Sequence, residues 1–401
     1  MKEACVFHFP DKGMPKVKIL RIRKGTVVIM VNKLRIQEEF CRLVSVDSIS
    51  FQERKMADLL TSSLNELGFE VIEDNAGDYY QGTCGNLYAF LEGEIEGEPI
   101  LFSAHMDTVT PGLNKKAVVH EDGSITSDGS TVLGADDLSG IVSILEAVRT
   151  IKEQKLAHRS IEILFTIAEE VYIRGSEVFD YSVIKAKEAY VLDLDQEVGT
   201  AALKAPTVMA FTAKIIGKAS HAGFAPELGI NAIAIAAQAI TKIKQGRIDE
   251  ETTVNVGLIE GGKARNIVSE ECIIRGEVRS LSHKKVLSQL EILKNVIDET
   301  TTSFEAGYEF ETEIGCIAYE VKKDDPVVRR FERVCRELGY QSTYINTFGG
   351  SDNNNFHRHG IKGLVLSCGM NKVHSCSEYT HIEELIKCSS IVLKLLTDTE
   401  E

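Results

Sequence analysis

The sequence lacks several features that would assign it to common classes of protein. It has no Cys-x-x-Cys pair, and its nine cysteines are scattered and odd in number. This favours reduced thiols in a cytosolic protein over a disulfide framework or a structural zinc cluster. No apolar run approaches the length needed to span a bilayer. The formal net charge of −15 comes without a basic stripe, so we expect no nucleic-acid partner. No amphipathic membrane segment is visible either, so we expect no membrane partner.

Motifs of two further enzyme classes are missing. Neither Gly134-Ala-Asp136 nor Gly349-Gly350 is followed by Lys-Ser/Thr or has dinucleotide-binding spacing, so neither predicts a phosphate-binding loop. No Ser or Cys stands in the context of a nucleophile elbow. The chemistry is therefore expected from other residue types.

The chain of 401 residues is too long for one ordinary core, so two domains are the default expectation. Residues 1–29 contain several Lys and Arg, show little helical periodicity and have no small-residue cleavage site after an apolar core, so they do not resemble a signal peptide. An amphipathic helical pattern begins at Met30. We hypothesise that Met30 is the natural start and that residues 1–29 are an upstream extension, with Met1 as the alternative start.

Residues 30–206 alternate between helical and strand-like patterns. Short apolar strands are predicted at Ile100–Ala104, Ile161–Ala168 and Ala189–Asp193, with helices between them. This order predicts an α/β fold, with a mixed, mostly parallel sheet and helices on both faces. In such sheets the functional groups collect beyond the carboxyl ends of the strands.

The pattern changes between about residues 207 and 317. Its order of strand, helix, strand, strand, helix and strand is that of a ferredoxin-like βαββαβ unit. After about residue 320 the alternation of helices and strands resumes. We therefore predict a catalytic domain of residues 30–206 and 318–401, interrupted by an inserted domain of residues 207–317.

Two histidines and several carboxylates lie at the ends of strand-like runs or in the loops that follow. Two zinc-class ions can be held close together if one carboxylate bridges them and each ion has its own histidine and carboxylate. The candidates divide in this way. Asp136 would bridge, His105 and Asp193 would complete one site, and Glu170 and His374 would complete the other.

Two further carboxylates suit supporting roles. Asp107 follows His105 by two positions, so both side chains point to the same face of an extended chain, as suits a carboxylate that orients the imidazole. Glu169, next to Glu170, is the predicted general base. Each residue alone also has an ordinary interpretation: a hydrogen-bonded core histidine, a helix N-cap at Asp136-Asp137, or a solvated turn at the glutamates.

Taken together and in order, the motifs resemble a known family. They are His105-x-Asp107, Gly134-Ala-Asp136-Asp137, Glu169-Glu170, Gly217-Lys-Ala-Ser-His221-Ala-Gly223, Gly261-Gly-Lys-Ala-Arg-Asn266-Ile and Asn371-x-x-His374. Over about residues 30–395 the chain resembles the peptidase T / carboxypeptidase G / acetylornithine deacetylase superfamily of cocatalytic zinc hydrolases, in its peptidase T-like branch. The resemblance implies the same metal and base roles, a zinc-exopeptidase-like fold and an inserted lid or dimerisation domain.

The resemblance also implies residues that contact substrate. His221 would approach the substrate carbonyl, from this subunit or a neighbouring one. The peptide backbone and its terminal carboxylate would be held by Asn266, Arg279, Gly350, Ser351 and Asp352. A cis peptide bond is implied between Asp136 and Asp137.

Three alternatives stay open. Asp195 competes with Asp193 for the ligand role, and His381 is a second late histidine. Arg279 has a surface ion pair as its alternative role.

The function that the resemblance implies is a metal-dependent exopeptidase acting on short peptides. It would release the N-terminal residue of tripeptides by metal-activated water, with Glu169 as the general base. Two Zn²⁺ ions are the expected cofactors, although Co²⁺ or Mn²⁺ would suit similar ligands. A deacylase of N-acyl amino acids or a dipeptidase is the alternative, and a non-catalytic peptide-binding relative is a remote one. The expected assembly is a homodimer formed through the lid.

Overall fold

The computed structural model describes residues 31–399. The predicted extension at residues 1–29 and the choice between Met1 and Met30 as the natural start lie outside the described residues. Within residues 31–399, no helix combines the length and the apolar character that a membrane crossing requires.

The helices and strands of the described residues follow one another closely along the chain. The helices are α1 (Lys33–Val44), α2 (Arg54–Glu66), α3 (Ala76–Tyr80), α4 (Ala135–Gln154), α5 (Arg174–Glu177), α6 (Ala232–Lys242), α7 (His283–Thr302), α8 (Pro326–Leu338), α9 (Asn353–Arg358) and α10 (Ile382–Leu396). The strands are β1 (Glu70–Glu73), β2 (Leu87–Leu91), β3 (Ile95–His105), β4 (Val118–Val119), β5 (Ser124–Thr126), β6 (Arg159–Thr166), β7 (Glu188–Leu194), β8 (Thr200–Ala205), β9 (Thr207–Ile216), β10 (Ser220–His221), β11 (Gly246–Asp249), β12 (Thr252–Gly261), β13 (Ile267–Val268), β14 (Glu271–Ser280), β15 (Gly307–Cys316), β16 (Tyr319–Glu320), β17 (Thr343–Asn346), β18 (Lys362–Ser367) and β19 (Tyr379–His381).

The main sheet has nine strands, in the order β1-β2-β6-β3-β7-β18-β8-β16, with β17 paired to β8. Its centre, β6-β3-β7-β18, is parallel. The pairings β1–β2, β2–β6, β18–β8 and β8–β16 are antiparallel. This mixed α/β sheet confirms the predicted fold class, and its parallel centre places the carboxyl ends of four strands at one edge.

Helix α4 lies between the main sheet and two other helices. It packs against β3 and β7 and contacts α1 and α10, and most of its residues are buried, as expected for a helix that is apolar on nearly every side. Gly140 permits the close approach, because a Cβ there would lie 2.7 Å from the carbonyl oxygen of Leu192. Asp136 and Asp137 have non-helical backbone angles, so the regular helix begins near Leu138.

The inserted region forms a second sheet, with the order β11-β12-β14-β9-β15. All of its pairings are antiparallel, and its four long strands with α6 and α7 have the ferredoxin-like order. The short edge strand β11 is an addition that the sequence pattern did not show. This sheet and its two helices enclose a hydrophobic core, which includes Phe211, Ile274 and Leu293, separate from that of the main sheet.

Candidate metal centre and active site

The candidate ligands lie at the edge where the parallel strands end. His105 is the last residue of β3, Asp193 is the last but one of β7, and the turn with Glu169 and Glu170 follows β6. The loop after β18 brings His374 to the same edge, within 2.8 Å of Glu170. Parallel topology therefore gathers residues that are far apart in the sequence.

The carboxylate of Asp136 lies at the centre of this group. Its Oδ1 is 3.0 Å from Nε2 of His105, and its Oδ2 is 3.2 Å from Nε2 of His374. Oδ1 of Asp193 lies 4.0 Å from the same nitrogen of His105, and Oε2 of Glu170 lies 2.8 Å from that of His374. Two histidine–carboxylate groups thus share one carboxylate, with one oxygen directed to each group.

The chemistry of these side chains fits divalent cations. Oε1 of Glu170 is buried and has no hydrogen-bond partner among the described residues, which is uncommon for a buried polar atom. Burial raises the pKa of Asp193 and that of Glu169 well above their usual ranges, and neighbouring carboxylates raise both further. Because carboxylates outnumber the imidazoles here, the cluster has an excess of negative charge that bound cations would neutralise.

Asp137 also lies close to His105 and Asp193, and these three residues are close enough to hold a cation. However, its Oδ2 accepts a hydrogen bond from the backbone N–H of His105, and its Oδ1 accepts one from Gly140. These bonds direct its carboxylate to the backbone, so the hydrogen bonds favour Asp136 as the bridging ligand. The peptide bond between Asp136 and Asp137 is cis, as the family resemblance predicted.

The two alternative ligands lie in different surroundings. Asp195 lines the cleft beside the cluster, but it is Asp193 that approaches His105. His381 caps helix α10: its Nδ1 accepts a hydrogen bond from the N–H of Glu383, and its Nε2 is 2.8 Å from a carbonyl oxygen in another loop. The geometry therefore favours Asp193 and His374.

Asp107 connects the strand of His105 to the turn of the two glutamates. Its Oδ1 accepts a hydrogen bond from the N–H of Glu169 at 3.0 Å, and its Oδ2 accepts from the N–H of Glu170 at 3.2 Å and the hydroxyl of Ser50 at 2.7 Å. Nδ1 of His105 is 2.9 Å from the carbonyl oxygen of Asp107 and 3.4 Å from its Oδ1. The backbone of Asp107 therefore orients the imidazole, while its carboxylate mainly holds the turn.

Two buried glutamates that the sequence analysis did not identify support the same loops. Glu53 accepts a hydrogen bond from the N–H of Ala168, and Glu378 accepts one from the N–H of Asp136. Burial raises the pKa of each to about 7. No sequence motif identifies either residue. The one feature that could have drawn attention to Glu378 is its position four residues after the candidate ligand His374.

A cleft of about 160 Å³ opens beside the ligands. Its lining residues outside the metal cluster are Leu194, Asp195, Thr347, Gly349, Gly350, Ser351, Val365, Met370 and Val373. Asp352 is directed elsewhere, because its carboxylate accepts hydrogen bonds from the hydroxyls of Thr166 and Ser176. A wider groove of about 560 Å³ between α1, α2 and α4 contains none of the candidate ligands. The smaller cleft is therefore the candidate active site.

The remaining candidates, His221 and Asn266, lie on the inserted region and are not among the residues that line the cleft. Both are exposed. Nδ1 of His221 accepts hydrogen bonds from the N–H groups of Gly223 and Phe224, and the carbonyl of Asn266 accepts one from Ala222.

Arg279 combines the two roles that the sequence left open. Its guanidinium pairs with Glu277, with N–O distances of 2.7 and 3.1 Å. It also donates a hydrogen bond of 3.1 Å to the carbonyl of Phe348, directly before Gly349. Arg279 thus forms an ion pair and contacts the loop that lines the cleft.

Comparison with known proteins gives two matching domain models. Residues 206–304 match the M20 peptidase dimerisation domain, and residues 86–223 match peptidase family M28.

Similar proteins span nearly the whole chain. The uncharacterized protein YqjE of Bacillus subtilis is 38% identical, over 92% of this chain and 99% of its own. The crystal structure of a tripeptidase from Staphylococcus aureus has a TM-score of 0.88 at 34% identity, covering 92% of this chain and 98% of its own. That of the aminopeptidase PepT from Bacillus cereus has a TM-score of 0.84 at 37% identity, covering 92% and 99%.

Proposed function

Because this chain belongs to the peptidase T-like branch of the M20 metallopeptidases and is a metal-dependent exopeptidase, we propose that it releases the N-terminal residue of tripeptides. The observation that carries the two-metal hydrolysis is the position of Asp136, whose two oxygens face two separate histidine–carboxylate groups. The tripeptidase and aminopeptidase similarity at 34% and 37% identity supports this choice of substrate.

The proposed cofactors are two Zn²⁺ ions that share Asp136. His105 and Asp193 would hold one, and Glu170 and His374 would hold the other. Ions of this kind make water a nucleophile near neutral pH and polarise a carbonyl group. Co²⁺ or Mn²⁺ would suit the same nitrogen and oxygen ligands.

Glu169 is proposed as the general base. Its carboxyl is buried beside the ligand cluster and lines the cleft, and burial raises its pKa, which favours its acting as a proton acceptor. It would accept a proton from the attacking water and donate it to the leaving amine. The hydrogen bond from its N–H to Asp107 holds the backbone of this turn in place.

The proposed role of His221 is to stabilise the negative charge that develops on the substrate carbonyl oxygen. Because Nδ1 of its ring accepts hydrogen bonds from two backbone N–H groups, the proton of the neutral ring lies on Nε2. The exposed ring therefore has a donor to offer. We propose that Asn266, Arg279, Gly350 and Ser351 hold the peptide, with Gly350 and Ser351 at the cleft.

Residues 207–317 are proposed to act as a lid that also mediates a homodimer. Leu258 and Ile259 on β12 are 58% and 50% exposed, and β11 pairs with β12 only at Thr252–Val254, which leaves the following edge of β12 open. A second subunit covering this apolar edge would remove both from water. The match to a peptidase dimerisation domain over residues 206–304 supports this assembly.

A cytoplasmic location is also proposed. The eight cysteines among residues 31–399 are all free thiols, which fits a reducing compartment.

The substrate proposal is tested by mass-spectrometric product analysis of the zinc-loaded protein with one tripeptide in three forms: free, N-acetylated and C-amidated. Release of the first residue from the free form alone is the expected result, because an aminotripeptidase reads both termini. Cleavage of the acetylated form alone would instead identify a deacylase and would overturn the proposal.

A further inference from the structure

Within residues 31–399, the main chain passes between the two sheets at Pro206, between β8 and β9, and at Ile317-Ala318, between β15 and β16. The strand ladder extends from the main sheet, where Ala205 pairs with Tyr319, to the inserted sheet, where Val208 pairs with Cys316. Between these pairs the ladder is interrupted. The carbonyls of Pro206 and Ile317 therefore need partners from elsewhere in the molecule.

The side chain of Asn354 bonds to both carbonyls, and Sγ of Cys316 donates a second hydrogen bond, of 3.3 Å, to that of Pro206. Nδ2 of Asn354 donates hydrogen bonds to the carbonyl of Pro206 at 3.1 Å and to that of Ile317 at 2.8 Å. Oδ1 of the same amide accepts a hydrogen bond of 3.0 Å from the N–H of Ser351. Asn354 is fully buried, and its bonds to Pro206 and Ser351 are buried with it, whereas the bond to Ile317 is partly buried.

The loop at Ser351 is held from the inserted sheet as well. Arg279 donates to the carbonyl of Phe348, and the guanidinium of Arg247 lies 4.7 Å from the centre of the Phe348 ring. Gly350 lies against the inserted sheet too, because a Cβ there would be 2.9 Å from Sγ of Cys316. The cleft loop, residues 349–351, is therefore bound to the inserted sheet directly and to both crossing strands through Asn354.

The geometry points to Asn354 as a positioning residue that couples the orientation of the lid to the cleft loop at 349–351. When the two crossing strands change their angle, the amide that joins their carbonyls moves with them and draws Ser351 along. Lid position and the shape of the substrate cleft then change together. This inference rests on the proposed function for its catalytic consequence, but the coupling itself is a property of the fold.

The test compares three variants. N354A removes all three hydrogen bonds, whereas N354D has the same shape, keeps the oxygen that accepts from Ser351 and loses both donors to the crossing carbonyls. N353A is the matched control, since Asn353 is buried in the same helix but donates to the carbonyl of Gly363 in β18. Hydrogen exchange is followed by mass spectrometry at residues 204–209, 315–319 and 347–352.

We expect exchange at the crossing segments to accelerate by about tenfold or more in N354A and N354D, since a tenfold change corresponds to the loss of about one buried hydrogen bond. The cleft loop should accelerate in both variants, although N354D keeps the bond to Ser351, and N353A should leave all three segments as in the wild type. For tripeptide hydrolysis, KM should rise about tenfold in both variants, because the cleft loop binds the peptide, while kcat changes less, because the metal ligands are untouched.

The coupling would be overturned if both Asn354 variants exchanged at the wild-type rate, or if the cleft loop of N354D stayed protected. It would also be overturned if N353A accelerated exchange as much as the Asn354 variants do. If N354A does not fold, the same measurements on N354D test the coupling. A wild-type protein without tripeptidase activity would refute the proposed substrate, yet the exchange results would still decide the coupling.

Discussion

The substitution D107N tests whether the carboxylate of Asp107 positions the catalytic turn. In the structure both of its oxygens accept backbone N–H groups, from Glu169 at 3.0 Å and from Glu170 at 3.2 Å. Asparagine has the same shape but only one oxygen. Its amide NH₂ would therefore face one of these N–H groups, donor against donor, whereas the Ser50 hydroxyl can rotate to accept.

The expected size of the effect follows from these contacts. An unsatisfied buried N–H costs about 1–3 kcal/mol, so D107N should lower the free energy of unfolding by about 2 kcal/mol. Because the displaced turn contains Glu170, zinc affinity should fall about 10- to 100-fold, the usual effect of losing a group that supports a ligand. Glu169 would shift as well, so kcat at saturating zinc should fall by about 100-fold.

The assay combines urea unfolding, zinc competition with a chelator and tripeptide turnover at saturating zinc. S50A is the matched control, since it removes one hydroxyl donor to Asp107 and leaves both N–H bonds intact; its effect on each measurement should be severalfold smaller. Wild-type zinc affinity and kcat in folded D107N would refute the positioning role, even if the variant were less stable.

Three further predictions concern the base, a buried acid and the assembly. E169Q should keep its metal, measured by plasma mass spectrometry, and lose about 10²–10⁴-fold in kcat, the usual contribution of a general base; a fully active variant would contradict the assignment. Burial raises the pKa of Glu53 from 4.5 to about 7, so the folded state retains a proton that the unfolded state loses, and wild-type stability falls as pH rises between these values. E53Q should therefore gain stability relative to the wild type over that range, by at most about 3 kcal/mol above pH 7; the same stability difference in urea unfolding at pH 4 and pH 8 would contradict this. L258D should convert the proposed dimer to a monomer in light scattering, because it places a charge on the apolar edge of β12; an unchanged mass would exclude this edge as the interface.

The fold and family were predictable because their signals are local. Apolar runs, each followed by His105, Glu169 or Asp193, predict parallel strands that end at a common edge, and the nine-stranded sheet has them there. The ferredoxin-like order of the inserted region was likewise visible as a change in pattern. Strand β11 was missed because four residues of an edge strand make too short a pattern to recognise.

Asp107 was predicted as a supporting residue, but its contact with the glutamate turn and the roles of Glu53 and Glu378 were not predictable, because these depend on contacts between distant segments. Glu53 and Asp107 reach the same turn from different elements, through hydrogen bonds to backbone N–H groups that no side-chain motif specifies. Glu378 supports Asp136 across 242 positions of sequence. A backbone donor is offered by almost every residue, so the sequence contains no mark of which one is used.

By itself, the sequence determined which residue types could bind metal and at which strand ends they would appear, since side-chain chemistry and strand periodicity are local properties. Only the tertiary structure decided which role each of those residues takes. It directed the two oxygens of Asp136 to different histidines, turned Asp137 and Asp352 towards the protein interior, and joined the crossing strands through Asn354. The physical reason is that carboxylate and amide orientation is set by whichever donors and acceptors the packed chain brings within hydrogen-bonding distance.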